Sequence, residues 1–296
     1  ALESEAIKMT PLQIPSATLS NGVTMPSLVF GTYQIKDPKI CQKAVEDALE
    51  AGYRAIDTAQ SYGNEAAVGA ALKACGLPRS ELFITTKLWV EDASEAGARR
   101  AALRSMELLG LDYLDLYLIH QPVGDVFGAW RTMEALYRDG LLRAVGVSNF
   151  SPDRLMDIAL SSTIRPQVNQ IEINPFCQQK DALPVMASLG ILPEAWAPFA
   201  EGRNGLFSNA VLAGIAAKHN ASIAQIVLAM ILKMGTVVVS KSVNPERMRE
   251  NIRAAEVRLD QTDMTAMAAL DTGRSQFFSH RAPEIIKWFH SRHIEH

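Results

Sequence analysis

Residues 82–120 read LFITTKLWVEDASEAGARRAALRSMELLGLDYLDLYLIH. An apolar run closing on Lys87 gives way to a helical stretch. A break at Gly110-Leu111 follows, then a second apolar run closing on His120. Both runs are apolar nearly throughout rather than alternating, as strands covered on both faces are. Strand, helix and strand in this order form the unit of a parallel sheet.

The unit recurs along the chain. Eight short runs, LVFGT, YRAIDT, LFITTK, YLDLYLIH, LRAVGVS, QVNQIEIN, ILPEAWAP and TVVVSKS, alternate with helical patterns. Helices are predicted over Lys39–Ala51, Glu65–Ala74, Ala93–Leu109, Val126–Arg138 and Pro152–Leu160, flanked by Asp, Ser, Asn or Gly cap residues. A glycine precedes several runs, at Gly52, Gly110, Gly140, Gly190 and Gly235. Asn21-Gly22, inside SATLSNGVTMPSL, signals an opening β-hairpin. No linker or composition break interrupts the repeats. The expectation is a single α/β domain over residues 1–296, a (β/α)8 TIM barrel with an N-terminal β-hairpin and a flexible extension at residues 1–15. A doubly wound open sheet is the alternative, which eight parallel repeats fit less well than closure.

Composition narrows the function. The 296 residues are 48% hydrophobic and 21% charged with a net charge of −3, and basic residues are mixed with acids. No basic stripe of the kind that binds a nucleic-acid backbone is present. Cys41, Cys75 and Cys177 lack CxxC spacing, which fits neither a disulfide framework nor a zinc site. The acidic opening ALESEAIKMT is unlike a signal peptide, and no window of 18 apolar residues occurs. A cytoplasmic protein without membrane or nucleic-acid partners is expected, and a monomer, since no heptads or apolar strip demand a partner. GxGxxG, GxxxxGK[ST], HExxH, EF-hand and GxSxG patterns are all missing from the sequence.

Barrel chemistry sits at the C-terminal ends of the strands. There the sequence puts Asp57 with Tyr62 in its loop, Lys87, His120, Ser148 with Asn149, Gln170, and Lys241 with Ser242. Taken singly, a loop aspartate is usually a cap, a loop tyrosine a half-buried plug and a lone histidine a satisfied core residue. Together, Tyr, Lys, His and Asp make a proton-donating set. An ammonium beside a phenol is expected to lower its pKa, and a carboxylate holds that ammonium in place. A neutral imidazole can orient an oxygen. The set holds no activated nucleophile and no metal cluster. It suits protonation of an oxygen while a cofactor's hydride attacks the carbon.

The segments DTAQSYGNE, TTKLW, LIHQP, GVSNF, VNQIEINP and KSVNPERMREN resemble the aldo-keto reductase family, in order, over about residues 17–280, with bacterial diketogluconate and general carbonyl reductases the nearest look. The resemblance implies metal-independent reduction of aldehydes and ketones by NADP(H). It makes Tyr62 the general acid, Lys87 and Asp57 the pair that tunes it, and His120 the substrate-orienting group. Ser148, Asn149 and Gln170 would hold the nicotinamide carboxamide, Trp196 would stack on the ring, and Thr32 would join the cofactor site. AEGRNGLF, with Arg203, would close over the pyrophosphate. Lys241, Ser242 and Arg247 would take the 2′-phosphate, and Glu250 and Asn251 the adenine. Tyr33, Trp89 and Gln121 match substrate-pocket positions, and the tail SQFFSHRAPEIIKWF lies where the family's variable C-terminal loop, beyond the barrel, covers that pocket.

Two positions depart from the family pattern. Gln121 stands where many members have Trp, which favours hydroxylated or dicarbonyl substrates, and Ser240 replaces a proline. Other classes stay open: a non-catalytic NADPH-binding regulatory protein on the same scaffold, a metal-dependent barrel hydrolase, or a plain binding module.

Overall fold

A computed structural model describes residues 12–295. Eight parallel strands close into a barrel: β3 (Leu28–Gly31), β4 (Ala55–Asp57), β5 (Phe83–Leu88), β6 (Leu116–Ile119), β7 (Val145–Ser148), β8 (Val168–Glu172), β9 (Leu192–Trp196) and β10 (Val237–Ser240). They follow chain order around the ring, and β10 pairs with both β9 and β3 to close it. An antiparallel hairpin, β1 (Ser16–Thr18) and β2 (Thr24–Pro26), precedes them. Each of the eight apolar runs contributes one barrel strand.

The side-chain period of two sorts each strand into two faces. Ile56, Ile84, Tyr117, Ile119, Val145, Val147 and Ala195 point outward into the large core beneath the helices. Val29, Ala55, Phe83, Leu116, Leu118, Ala144, Val168, Val237 and Val239 point inward and fill the barrel, joined by Leu19 and Met25 from the hairpin segment. The hairpin therefore plugs the lower end. Gly146 keeps that interior tight, because a Cβ there would fall 2.6 Å from the Val168 carbonyl oxygen and 2.8 Å from Leu118.

Helices lie outside: α1 (Pro38–Ala51), α2 (Glu65–Ala74), α3 (Glu95–Leu109), α4 (Val126–Arg138), α5 (Pro152–Ser161), α6 (Ala182–Leu189), α7 (Ala210–His219), α8 (Ile223–Lys233), α9 (Pro245–Ile252), α10 (Gln261–Ala268) and α11 (Pro283–Ser291). The expected helix at 93–109 starts two residues later. Ser94 takes the cap position, its hydroxyl accepting from the Gly97 N–H, and Val90–Asp92 forms a short 3-10 turn instead. Gly110 ends this helix at φ 66°, a left-handed turn that releases the chain toward β6. None of the described helices is long and apolar enough to cross a membrane. Of the expected flexible extension, residues 1–11 lie outside the described residues, and Leu12 and Ile14 pack against the core.

One inward position breaks the apolar pattern. Glu194 shares the inner face of β9 with Leu192 and Trp196, lies beside Gln170 in register, and is fully buried. Its carboxyl oxygens lack a well-formed hydrogen bond among the described residues, the Gln170 amide alone coming close enough to pull against burial. Burial pushes its pKa up to about 8, with the nearby Asp57 charge adding to the rise. The folded protein thus keeps a proton that the unfolded chain releases above about 4.5, and stability falls as pH rises from there toward 8. Glu194→Gln is expected to raise the unfolding free energy at neutral pH by on the order of 2 kcal/mol, the gap closing in mildly acidic buffer. Chemical denaturation across pH checks this; a gap independent of pH would contradict an ionisable origin.

Candidate active site

The upper ends of the strands open into a cleft of about 1200 Å³ that Asp57, Tyr62, His120, Gln170 and Trp196 line together. Its floor is an ion pair. Lys87, fully buried on β5, donates from Nζ to Asp57 Oδ1 (2.5 Å), to the Thr58 carbonyl (3.0 Å) and to the Tyr62 hydroxyl (3.1 Å). The second oxygen of Asp57 accepts from Gln170 Nε2 across the barrel (2.8 Å). An ammonium has three donors, and all three are used.

Tyr62 reaches this floor because its loop is tied. Gln60–Tyr62 forms a 3-10 turn that Gly63 closes at φ 67°. Behind it, Asn64 donates to the Thr32 (2.9 Å) and Ile35 (3.2 Å) carbonyls and accepts from the Thr58 hydroxyl (2.7 Å). His120 stands edge-on to Tyr62, with ring centroids 5.7 Å apart, and edge-on to Trp89 at 5.3 Å. Its Nδ1 lies 3.4 Å from the Ser61 hydroxyl.

Burial decides the protonation states. It raises the Tyr62 phenol above its ordinary value, outweighing the opposite pull of Lys87. The ammonium does lower it, through its charge and its hydrogen bond, but the wall around the hydroxyl desolvates the phenolate more than one cation repays. Burial also pulls the Lys87 ammonium down, but Asp57 and Tyr62 overcome it and hold the group above its usual range. For His120, burial leads and the Lys87 and Arg292 charges follow, all lowering it well below 6.5. At neutral pH the site holds a protonated phenol, an ammonium and a neutral imidazole.

The cleft runs on toward α9. Ser148 donates to the Gln170 carbonyl (2.8 Å), and Asn149, at φ 62°, bridges the His120 carbonyl (3.1 Å) and Gln121 Oε1 (3.2 Å). Trp196 donates from Nε1 to Asn149 Oδ1 (2.8 Å). Lys241, Ser242, Arg247, Glu250 and Asn251 line the far arm, on the turn after β10 and on α9. Lys241 and Arg247 are exposed and form no ion pair among the described residues, beside the N-terminus of α9. Unpaired cations with a hydroxyl match the chemistry of a phosphate, while the first N–H groups of α9 are already capped by the Asn244 side chain.

Two expected cofactor residues stand apart. Thr32 is fully buried and does not line the cleft, because its hydroxyl is spent on the Asp57 carbonyl (3.0 Å). Arg203 turns away as well, donating to the Gln276 carbonyl (3.0 Å) with its guanidinium 4.4 Å from the Phe277 ring centroid. Tyr33, Trp89 and Gln121 do line the cleft. Reading the sequence also missed Asn64 and Gln60, which set the Tyr62 and Trp89 loops, and Arg292, whereas Phe278 and His280, which wall the end nearest His120, belong to the tail expected to cover the pocket. Local pattern carries no trace of contacts this remote in the chain.

Known proteins resemble this chain along most of its length. The chain is 42% identical over 254 residues to the glyoxal reductase of Bacillus subtilis (strain 168), spanning 86% of this chain and 91% of that protein. It is 41% identical over 259 residues to the methylglyoxal reductase of Salmonella typhimurium, with 86% and 93% covered. A Bombyx mori aldo-keto reductase solved in complex with NADP superposes with a TM-score of 0.86 at 33% identity, covering 90% of this chain and 95% of that one. The profile of the aldo/keto reductase family matches residues 27–272, and the chain belongs to that family.

Proposed function

We propose that this chain reduces aldehydes or ketones to alcohols with NADPH, and that Tyr62 protonates the carbonyl oxygen. The observation that carries the reading is the hydrogen bond from Lys87 to a Tyr62 hydroxyl that faces the cleft. Membership of the family makes the chain an NADP(H)-dependent oxidoreductase acting on carbonyls. When bound, NADPH supplies the hydride. The remaining work falls to side chains.

Tyr62 keeps its proton at neutral pH and offers it to an oxygen placed between its hydroxyl and the His120 ring. The neutral imidazole orients that oxygen without competing as an acid. As the proton leaves, the phenolate lies 3.1 Å from the Lys87 ammonium, which Asp57 keeps in position. Ser148 and Asn149 offer hydroxyl and amide groups to a carboxamide, and Trp196 offers a ring face fixed by its bond to Asn149. Gln170 contributes less directly, because one of its N–H groups is committed to Asp57. The unpaired Lys241 and Arg247, with Ser242, fit a 2′-phosphate, which favours NADPH over NADH. Gln121 lends its carbonyl to Asn149, so its amide nitrogen is the end that can meet a hydroxylated substrate.

A non-catalytic NADPH sensor would not need a tyrosine held at hydrogen-bond distance from a buried ammonium. Tyr62→Phe is expected to lower kcat at least about 100-fold while leaving the NADPH Kd nearly unchanged, as loss of a general acid should. Fluorescence titration beside an absorbance assay checks it, and equal turnover by the variant would rule Tyr62 out as the acid. Arg247→Leu should raise the KM for NADPH roughly tenfold with little change for NADH, measured with both cofactors. Because the imidazole titrates well below 6.5, kcat/KM for reduction should show no inflection near that pH; an inflection there would mean an imidazolium takes part.

A further inference from the structure

One ionisable side chain inside the barrel has no part in the reaction above. Glu194 points inward from β9, beside Gln170 of β8 and Val237 of β10, and is fully buried. The next inward residue on the same strand is Trp196, which lines the cleft with its Nε1 tied to Asn149. Inward positions of a strand follow one another at about 7 Å, so Glu194 occupies the layer beneath that ring. Gln170 joins the two levels. Its Nε2 donates to Asp57 Oδ2 (2.8 Å), and its amide is the one hydrogen-bonding group that pulls on the Glu194 carboxyl.

Few charges face this carboxyl. From β4 it meets Asp57 and from β5 Lys87. The inner faces of β3, β6 and β7 carry Val29, Leu118 and Gly146, and α6, outside, has no titratable side chain. Lys87 and Asp57 cancel one another, while Tyr62 and His120 are neutral at ordinary pH. With a proton on Glu194 the floor of the cleft therefore carries no net charge. Without it the floor carries one negative charge, in an interior where water screens little. Burial keeps that proton in place up to about pH 8. The nicotinamide ring is neutral in NADPH and cationic in NADP+, so the two forms answer differently to a charge beneath them.

We propose that Glu194 is a specificity-determining residue for the redox form of the cofactor: as the acid it leaves the cleft suited to the neutral ring of NADPH, and as the carboxylate it favours the cationic ring of NADP+. This rests on the reductase reading above. No bond forms or breaks at Glu194 other than its own O–H, whose proton exchanges with solvent. The acid form suits carbonyl reduction, which takes up NADPH and must let NADP+ go.

The test measures Kd for NADPH and for NADP+ by quenching of tryptophan fluorescence, from about pH 6 to about pH 9.5, in the wild type and Glu194→Gln. The wild-type ratio of the NADP+ Kd to the NADPH Kd is expected to fall about tenfold as pH rises to 8 and beyond, the effect of one buried charge on another. Glu194→Gln, which cannot ionise, should hold the ratio at its acidic value throughout. Both nucleotides carry the same phosphates, so phosphate ionisation cancels in the ratio. General damage to a variant cancels for the same reason, and a purely structural role for Glu194 would leave the ratio without pH dependence. Glu194→Met, of similar volume and apolar, serves if the glutamine variant does not fold. A wild-type ratio that ignores pH, or a fall that persists in the variant, overturns the proposal and leaves the reductase reading standing. Failure of both nucleotides to bind the wild type overturns the two together.

Discussion

A lysine and an aspartate buried together at the mouth of the barrel are the constraint on which the site depends. Removing either partner would strand the other charge in the interior, at a cost of about 3–5 kcal/mol. The structure avoids that by completing the shell. Asp57 receives Lys87 from the neighbouring strand and Gln170 from across the barrel, and Lys87 adds the Thr58 carbonyl and the Tyr62 hydroxyl. Strands β4, β5 and β8 are thereby tied at their upper ends, where the apolar interior packing stops. Asp57, Gln170 and Tyr62 of this network line the cleft, and the orientation of the Tyr62 hydroxyl is inherited from the pair beneath it.

The cleft is divided by chemistry. Toward α9 it carries unpaired cations, a hydroxyl and amides, the groups an anionic, hydrogen-bonding cofactor needs. Toward α11 it carries rings and a single guanidinium. The segment after β9 links the two arms: Arg203 and Asn204 bond Gln276, whose neighbour Phe277 packs on Trp196. Glu172, at the end of β8, anchors the same C-terminal stretch through Ser275 (2.5 Å) and the Gln276 N–H (2.8 Å). The tail is thus held by a strand end and becomes part of the cleft wall.

Much of the barrel was legible because both faces of a parallel strand are buried, which leaves an unbroken apolar run, and because caps mark where each helix begins. Asp57, Tyr62, Lys87 and His120 were legible as strand-end polar residues, and the cleft brings them together. Other features have distant causes that no local pattern carries. Thr32 and Arg203 sit in the right segments, but their polar atoms are taken by the Asp57 and Gln276 carbonyls. Lys87 lowers the Tyr62 phenol as expected, and what the sequence could not give is the larger opposing desolvation by surrounding side chains.

By itself the sequence determined the order of strands and helices, the closure implied by eight repeats and the residues presented at the strand ends, since periodicity and capping are properties of neighbouring residues. Only the tertiary structure decided which of those residues face the cleft, how burial sets their protonation, that Glu194 lies uncharged beside Asp57, and that Arg292 arrives beside Trp89 from 203 residues further along the chain. Those outcomes depend on desolvation and on contacts between remote segments, and neither exists until the barrel has closed.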